Sequence, residues 1–396
     1  YGIGIGFEAG AASCVSRAVG RRDQEQARRL TVDTMVLGSA VALLLCLAGL
    51  ATIGPLFALL GATTELMPMI GDYMRVWYWV APLDIALWTS LAAVRARGNT
   101  LFESKIITAA ALLNLTLDPI FIFGLFGFPR LEIQGAALAT LVSTGAMLLI
   151  TLAWLSLKLK VYANPLAPLR TIFDSWRHML VIGIPAMITN AIIPISAGIV
   201  VAMIATFGVD AVAGFGVAMR IEPMFLIAFY ALSADSSPFF GQNFGSEQFD
   251  RLLEARRVVA RFCLGFGLVL AAVLILIARP LTGLFSESAA IQDVAVHYLW
   301  IVSLSYGAYG LVMSCNASFN GMGKPIPGVI ISSCRVIFVF LPLAFLGRHL
   351  VGLEGLFAAT TVSNLLLGAI AFGWLGRTIK QAREAPTLPR SAPPSP

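Results

Sequence analysis

Charge is what this sequence has least of. Only 12% of its 396 residues are Asp, Glu, Lys or Arg, while 58% are hydrophobic; soluble domains carry about 25% charged residues. That shortage excludes a water-soluble globular chain and points to an integral membrane protein. Short alternating strands are missing too: the apolar runs approach the ~20 residues of a helix crossing a ~30 Å hydrocarbon core, not the ~9–11 of a barrel strand. Metal-ligand spacing is absent, since Cys14, Cys46, Cys263, Cys315 and Cys334 all lie in apolar stretches and read as packing residues rather than a disulfide framework. The three histidines, His178, His297 and His349, are far apart, and no H-E-x-x-H, G-x-S-x-G or Walker lysine motif occurs. Neither an enzyme nor a bound cofactor or metal is expected, beyond a possible sodium ion. Gly4 to Ala9 matches the dinucleotide fingerprint formally, but no strand precedes it. The net charge of +6 does not imply nucleic acid, because the basic residues cluster between apolar runs. No signal-peptide pattern is present.

What is present is a succession of eleven apolar segments, roughly 1–19, 32–60, 70–94, 104–128, 134–157, 179–206, 212–240, 257–285, 291–319, 326–347 and 352–376. The loops between them alternate in charge. One set carries Arg17, Arg21, Arg22, Arg28 and Arg29, then Arg95, Arg97 and Lys105, Lys158, Lys160, Arg170 and Arg177, Arg251, Arg256, Arg257 and Arg261, and Lys324. The other set holds Arg75, Arg130, Arg279 and Arg348 among acids such as Glu65, Asp72 and Glu132. The positive-inside rule makes the first set cytoplasmic, and with it the C-terminal tail, in a multi-pass inner-membrane protein. The Pro/Ser-rich tail, 381–396, reads as disordered.

The two halves repeat. Gly20 matches Gly245, Pro55 matches Pro280, Tyr73 matches Tyr298 and Gly98 matches Gly323, each pair 225 apart; Gly135, Ala139 and Thr140 match Gly355, Ala359 and Thr360 at 220. Equivalent spans are six crossings apart, so the halves share one orientation, a parallel repeat about the membrane normal. The expected architecture is all-α: an N-terminal lobe over 1–158, a cytoplasmic linker over 159–178 and a C-terminal lobe over 179–380. By the repeat, Tyr1 corresponds to Leu226 inside a span. The first lobe is therefore expected to lack its first helix, leaving about eleven of twelve.

Ionisable residues inside spans are rare and by default functional. Asn114 and Asp118 lie four apart in the apolar run Ile106 to Phe128, on one helix face, and Pro119 follows. Two readings fit: an ion site beside a proline hinge, or a packed helix contact; the rarity of such carboxylates favours the first. Arg220 and Glu222 are spaced i,i+2 and do not face each other. They and Asp84, beside Pro82, are candidates for lining a cavity. Asp235, near a cytoplasmic end, reads as water-facing. Met187, Met203, Met219 and Met224 suit either a promiscuous apolar site or ordinary packing, and packing is favoured. Gly2, Gly6 and Gly10 give small-xxx-small spacing for close helix packing.

Several motifs resemble those of the multidrug and toxin extrusion (MATE) transporters. Ser16-Arg17-Ala18-Val19-Gly20 is similar to the family's Ser-Arg-x-x-Gly, and Pro238 to Gly245 to the matching signature in the second half. Arg95 to Gly98, Asn320 to Gly323, Asn114 to Pro119 and Gly135 to Thr140 resemble the ends of helices four and ten, helix five and the start of helix six. The resemblance covers nearly the whole chain. It implies an antiporter exporting cationic or amphipathic compounds against H⁺ or Na⁺. In the DinF-like branch it implies an ion site formed by Asp118, Asn114 and Thr140 with an Asp on the first helix. Thr140 stands further from Asp118 than is usual there. The NorM-like branch has a helix-seven Glu after Gly-x-Pro; Gly183-Ile184-Pro185 is followed here by Asn190, Ile193 and Pro194 and no acid.

The reading is thus a monomeric secondary antiporter for small molecules, working by alternating access. A lipid-linked oligosaccharide flippase ranks below it, because Arg220 and Arg335 are the only firm intramembrane cations. A channel or structural subunit ranks lower still, with no selectivity-loop motif.

Overall fold

A computed structural model describes residues 2–161 and 168–384. Part of the expected linker, 162–167, and residues 385–396 of the expected tail lie outside the described residues.

Each of the eleven apolar segments forms a helix or a broken helix, and no strand occurs among the described residues. In chain order these are α1 (Gly2–Gly20), α2 (Gln24–Leu59), α3 (Met67–Trp77), α4 (Val80–Arg95), α5 (Thr100–Phe123), α6 (Glu132–Leu157), α7 (Leu169–Ala205), α8 (Val209–Gly245), α9 (Phe249–Gly283), α10 (Ala289–Ser303), α11 (Tyr306–Gly321), α12 (Ile326–Ser333), α13 (Leu341–Val351) and α14 (Leu353–Glu384). A π-helical turn, Cys334–Phe340, joins α12 to α13. Residues 169–178, read as linker, form the first turns of α7.

Among the described residues, eight helices are long and apolar enough to cross a membrane, or nine with α10 and α11 counted as one span bent by 58°. The expected count of eleven exceeds this for a physical reason. The segment 70–94 is split into α3 and α4, of 11 and 16 residues, and α1 has only 19 residues and carries Glu8 and Arg17. The break between α3 and α4 at Tyr78–Trp79 falls 225 residues before that between α10 and α11 at Leu304, within one position. The repeat therefore extends to helix breaks.

Local chemistry sets the ends. Asp23 caps α2 by accepting from the Gln26 N–H at 2.9 Å, and Asn99 caps α5 through the Phe102 N–H at 3.1 Å. Repeat mates Gly98 and Gly323 both take left-handed backbone, φ 86° and 74°, which only glycine adopts without strain. Apolar side chains such as Leu44, Leu268 and Leu276 point outward, as a lipid solvent allows.

The chain forms two compact units. The first comprises Tyr1–Ile195, Ala234–Gly245 and Ala317–Val329. In it Phe7, Cys14, Val15 and Ala18 of α1 form a core with Met179 and Ile182 of α7. Gly6 and Gly10 let α1 approach Gly183 and Met179 closely, whereas a Cβ at Gly2 would meet nothing within 4 Å among the described residues. A second core joins α4, α5 and α6 through Leu87, Leu91, Ile106 and Leu148. The other unit comprises Ser196–Ser233, Ser246–Asn316 and Ile330–Pro396. Its interior holds Phe229, Leu274, Tyr306 and Phe357.

Candidate functional site

Three groups of polar residues are built inside the helices. The first is on α5 and α6. Helix α5 continues through Pro119 and stops at Phe123, where Gly124 (φ 74°) caps it. A 3-10 turn over Leu125–Gly127, with Phe126 at φ 58°, and a bond from the Leu131 N–H to the Phe121 carbonyl (3.0 Å) then reverse the chain. Gly135 lies against the Phe121 backbone, where a Cβ would meet a carbonyl carbon at 2.6 Å, so α6 starts tight against the end of α5. Thr140 is thereby set beside Asn114 despite the intervening loop. The Asn114 Nδ2 donates to the Thr140 Oγ1 at 3.3 Å, and that hydroxyl donates to the Ala136 carbonyl at 3.1 Å. The Asn114 amide oxygen accepts no hydrogen bond among the described residues.

Asp118 lies one turn beyond Asn114, half-buried, with no hydrogen bond or ion pair among the described residues. It bonds to neither Asn114 nor Thr140. Because α5 ends at Phe123 and not near Phe128, Asp118 is in the last turn and a half, about 8 Å from the helix end at 1.5 Å per residue. The carboxylate is shallower than the apolar run suggested, and the helix is not broken at Pro119. An uncommitted carboxylate and amide oxygen on one helix face can take a proton or coordinate a small cation.

Asp84 accepts from its own helix neighbour, Trp88 Nε1, at 3.0 Å. Arg220 is exposed and without a partner among the described residues. Glu222 turns away from it, as i,i+2 spacing requires, and accepts from the Tyr298 hydroxyl at 2.9 Å. Arg335, on the π-helical turn, lies within electrostatic reach of Glu222. Its Nη1 donates to the Asn364 Oδ1 (3.0 Å), the Asn364 Nδ2 donates to the Ser305 Oγ (3.0 Å), and its guanidinium covers the Tyr309 ring at 5.1 Å. The Tyr306 hydroxyl and the Arg335 Nε are buried without hydrogen bonds among the described residues. This second group belongs wholly to the unit holding α9 and α14. π-helical turns often mark functional sites. Of the methionines, Met187 packs on Gly6, whereas Met224 is exposed.

The third group was missed from sequence. Arg95, read there as a loop residue, is only 5% exposed and bonds two carboxylates, Glu8 of α1 through Nη2 and Glu103 of α5 through Nη1. Its signal was faint: an acid and a base at neighbouring helix ends, with Glu8 hidden in a glycine-rich run. Beside it Arg97, in the loop, donates to the carbonyls of Ala93 (2.8 Å) and Ala27 (3.3 Å) and to the Thr31 Oγ1 (3.2 Å). Burial, and Arg28 nearby, push the Arg97 guanidinium down to about 10, still charged at neutral pH.

These residues border a seam within the first unit, where the ends of α1 and α4 meet those of α8 and α11. Gly20 rests on the Gln242 backbone and Gly245 on the Arg17 backbone; Gly241 rests on the Ser16 side chain. The Gln242 Nε2 donates to the Ala96 carbonyl at 2.7 Å, and the Ser13 hydroxyl donates to the Asn320 carbonyl. All of these lie at the end bearing the basic loops.

Comparison with known proteins agrees with this architecture. The MatE family profile matches residues 1–120 and 185–346. The chain is 35% identical to a FAD transporter of Shewanella oneidensis, over 97% of this chain and 85% of that one. It is 25% identical to the probable multidrug resistance protein YoeA of Bacillus subtilis, over 95% and 83%. Among solved structures, the Vibrio cholerae MATE transporter VcmN in its bent form superposes with a TM-score of 0.90 and 29% identity, covering 96% of this chain and 86% of that one.

Proposed function

Because the chain belongs to the MatE family of membrane transporters, we propose that it is a secondary antiporter. It exports small amphipathic molecules across the inner membrane in exchange for H⁺ or Na⁺, as a monomer with its basic loops and C-terminal tail in the cytoplasm. No catalysis and no cofactor other than the coupling ion is involved. The observation that carries the reading is Asp118: a half-buried carboxylate in a span, with no partner among the described residues, one turn from Asn114. Ion binding would neutralise it. Asn114 would supply its amide oxygen, and Thr140, by accepting the amide N–H, would keep that oxygen turned outward.

Pro119 has no N–H for the Leu115 carbonyl, which makes it the place where α5 can bend when the charge is quenched. Loading from the cytoplasm requires the seam at the basic-loop end to part. Ion and substrate must prefer opposite states, because a ligand binding both equally shifts nothing. Asp84, Arg220 and Glu222 are assigned to the substrate path.

The experiment is gradient-driven export of a cationic dye from liposomes holding the protein. Imposed H⁺ and Na⁺ gradients identify the ion, and Asp118→Asn is expected to abolish coupling. Undiminished ion-driven export by that variant would refute the ion site. Conductance without a gradient requirement would favour a channel.

A second reading concerns the cargo. The exposed, unpartnered Arg220 is suited to an anion, and one relative is named a FAD transporter. Flavin dinucleotide therefore belongs in the same assay beside the dye. Competition between the two would place both on one path.

A further inference from the structure

We propose that the Glu8–Arg95–Glu103 cluster is a proton-binding site, distinct from Asp118, whose protonation closes the seam at the basic-loop end. It accepts one H⁺ from water onto a carboxylate oxygen of Glu8 or Glu103 and returns it when the seam opens; no other bond changes.

The argument begins with charge. Two carboxylates share one guanidinium, which leaves one negative charge in excess. The side chains of Arg95 and Glu103 are 6% and 7% exposed, and that of Glu8 is 20% exposed. A buried charge without compensation is among the most costly features a protein can hold, and it is relieved by neutralisation. One proton would make the cluster neutral.

The bonding leaves room for that proton. Each acid meets Arg95 through one oxygen, Oε1, and the Arg95 Nε is buried with no hydrogen bond among the described residues. Arg–carboxylate pairs are frequently bidentate, with two bonds to one carboxylate, and neither acid here makes both. A metal is a poor alternative, because among the described residues no three His, Cys, Asp or Glu side chains converge to hold one.

Placement then ties the proton to movement. Asp235 of α8 reaches Arg95 electrostatically from across the seam and is exposed, so it links the cluster to water. Two turns on, Gln242 bonds to the carbonyl of Ala96, the residue next to Arg95. The charged groups acting on Arg95 are Glu8, Glu103 and Asp235; those on Glu103 are Arg95, Glu8 and Asp235; Asp84 acts with Glu8. With the cluster deprotonated, Glu8 and Glu103 saturate Arg95 and their excess charge repels Asp235. With one proton bound, the repulsion falls and Arg95 can hold Asp235, which keeps α8 seated.

The test uses the full chain in lipid and two readouts. Infrared spectra taken as pH is raised report protonated carboxyls. The loss of one such band on raising pH should persist in Asp118→Asn and disappear in both Glu103→Gln and Glu8→Gln. Maleimide labelling of Ser237→Cys, buried in the seam against Gly321, with the native cysteines replaced, reports opening. Labelling should rise with pH, by no more than tenfold per pH unit for one proton, and stay low in Glu103→Gln at every pH. Asp118→Asn can shift the baseline of that labelling through the coupling site but should leave its rise with pH in place, which separates this site from the coupling site. A carboxyl band unaffected by either Gln variant, or labelling indifferent to pH, would overturn the proposal and make the cluster a static salt bridge.

Discussion

Ser16 and Gly241 pack against each other, and they stand 225 residues apart, the same separation that relates Gly20 to Gly245 and Gly98 to Gly323. A residue that touches its own repeat mate lies on the axis relating the two copies. The neighbouring contacts obey the reciprocity such an axis imposes: Gly20 meets Gln242, and Gly245 meets Arg17, while Arg17 and Gln242 are themselves 225 apart. The seam is therefore a two-fold contact between repeat segments, and small residues sit where backbones must approach.

That symmetry makes an exchange testable. Gly241→Ser alone places a side chain against the Ser16 side chain, an overpacking expected to cost about 1–3 kcal/mol. The double variant Ser16→Gly with Gly241→Ser moves the one side chain across the axis and should recover most of that loss. Thermal unfolding in detergent measures both; equal midpoints for the single and double variants would contradict the axis.

Thr140→Val should weaken ion coupling without unfolding the protein. The substitution removes the acceptor of the Asn114 amide, worth about 0.5–1.5 kcal/mol, and frees the amide to rotate its oxygen away. The half-saturating H⁺ or Na⁺ concentration for dye export should rise about two- to thirteenfold. Thr140→Ser, which keeps the hydroxyl, should stay near the parent value.

Arg97 gives a pH prediction with a definite sign. Its folded value of about 10 lies below the ordinary guanidinium value, so between the two the unfolded chain holds a proton that the folded chain has lost. Stability from this group rises with pH only in that alkaline window and is flat below it, where both states are charged. Arg97→Ala should lower the unfolding midpoint by an amount that is constant from about pH 6 to 9, through loss of bonds to Ala27, Thr31 and Ala93. A difference that changed across that range would mean the guanidinium titrates there.

What could be read from the sequence follows the physics of each signal. Apolar length and loop charge are properties of whole segments, so the eleven helical segments and their order were legible. The equal spacing of Gly98 and Gly323 announced the repeat; that both are left-handed turns came only with the structure. The pairing of Asn114 with Thr140 came from the family resemblance rather than from spacing, and the structure joins the two by a hydrogen bond. The depth of Asp118 was not, since hydropathy continues to Phe128 while the helix stops at Gly124 for a backbone reason. The Arg95 cluster was illegible because it is a three-helix coincidence: residues 8, 95 and 103 share neither a period nor a face. The π-helical turn at Cys334–Phe340 has no proline or glycine within it to betray it.

The pair Glu222–Tyr298 distinguishes a substrate path from an ion path. Tyr298 is 5% exposed and is the only hydrogen-bond donor to Glu222 among the described residues. Tyr298→Phe removes that donor, and a bond to a charged acceptor is worth about 1.5–3 kcal/mol. The freed carboxylate would turn toward Arg335, the cation within its electrostatic reach, and draw the guanidinium from Asn364. If these residues line the substrate path, Tyr298→Phe changes the apparent affinity for dye or flavin dinucleotide and leaves the half-saturating ion concentration alone. Thr140→Val shows the opposite pattern. A shift in ion dependence in Tyr298→Phe would instead place the coupling ion in the unit holding α9 and α14, and Asp118 would lose its assigned role.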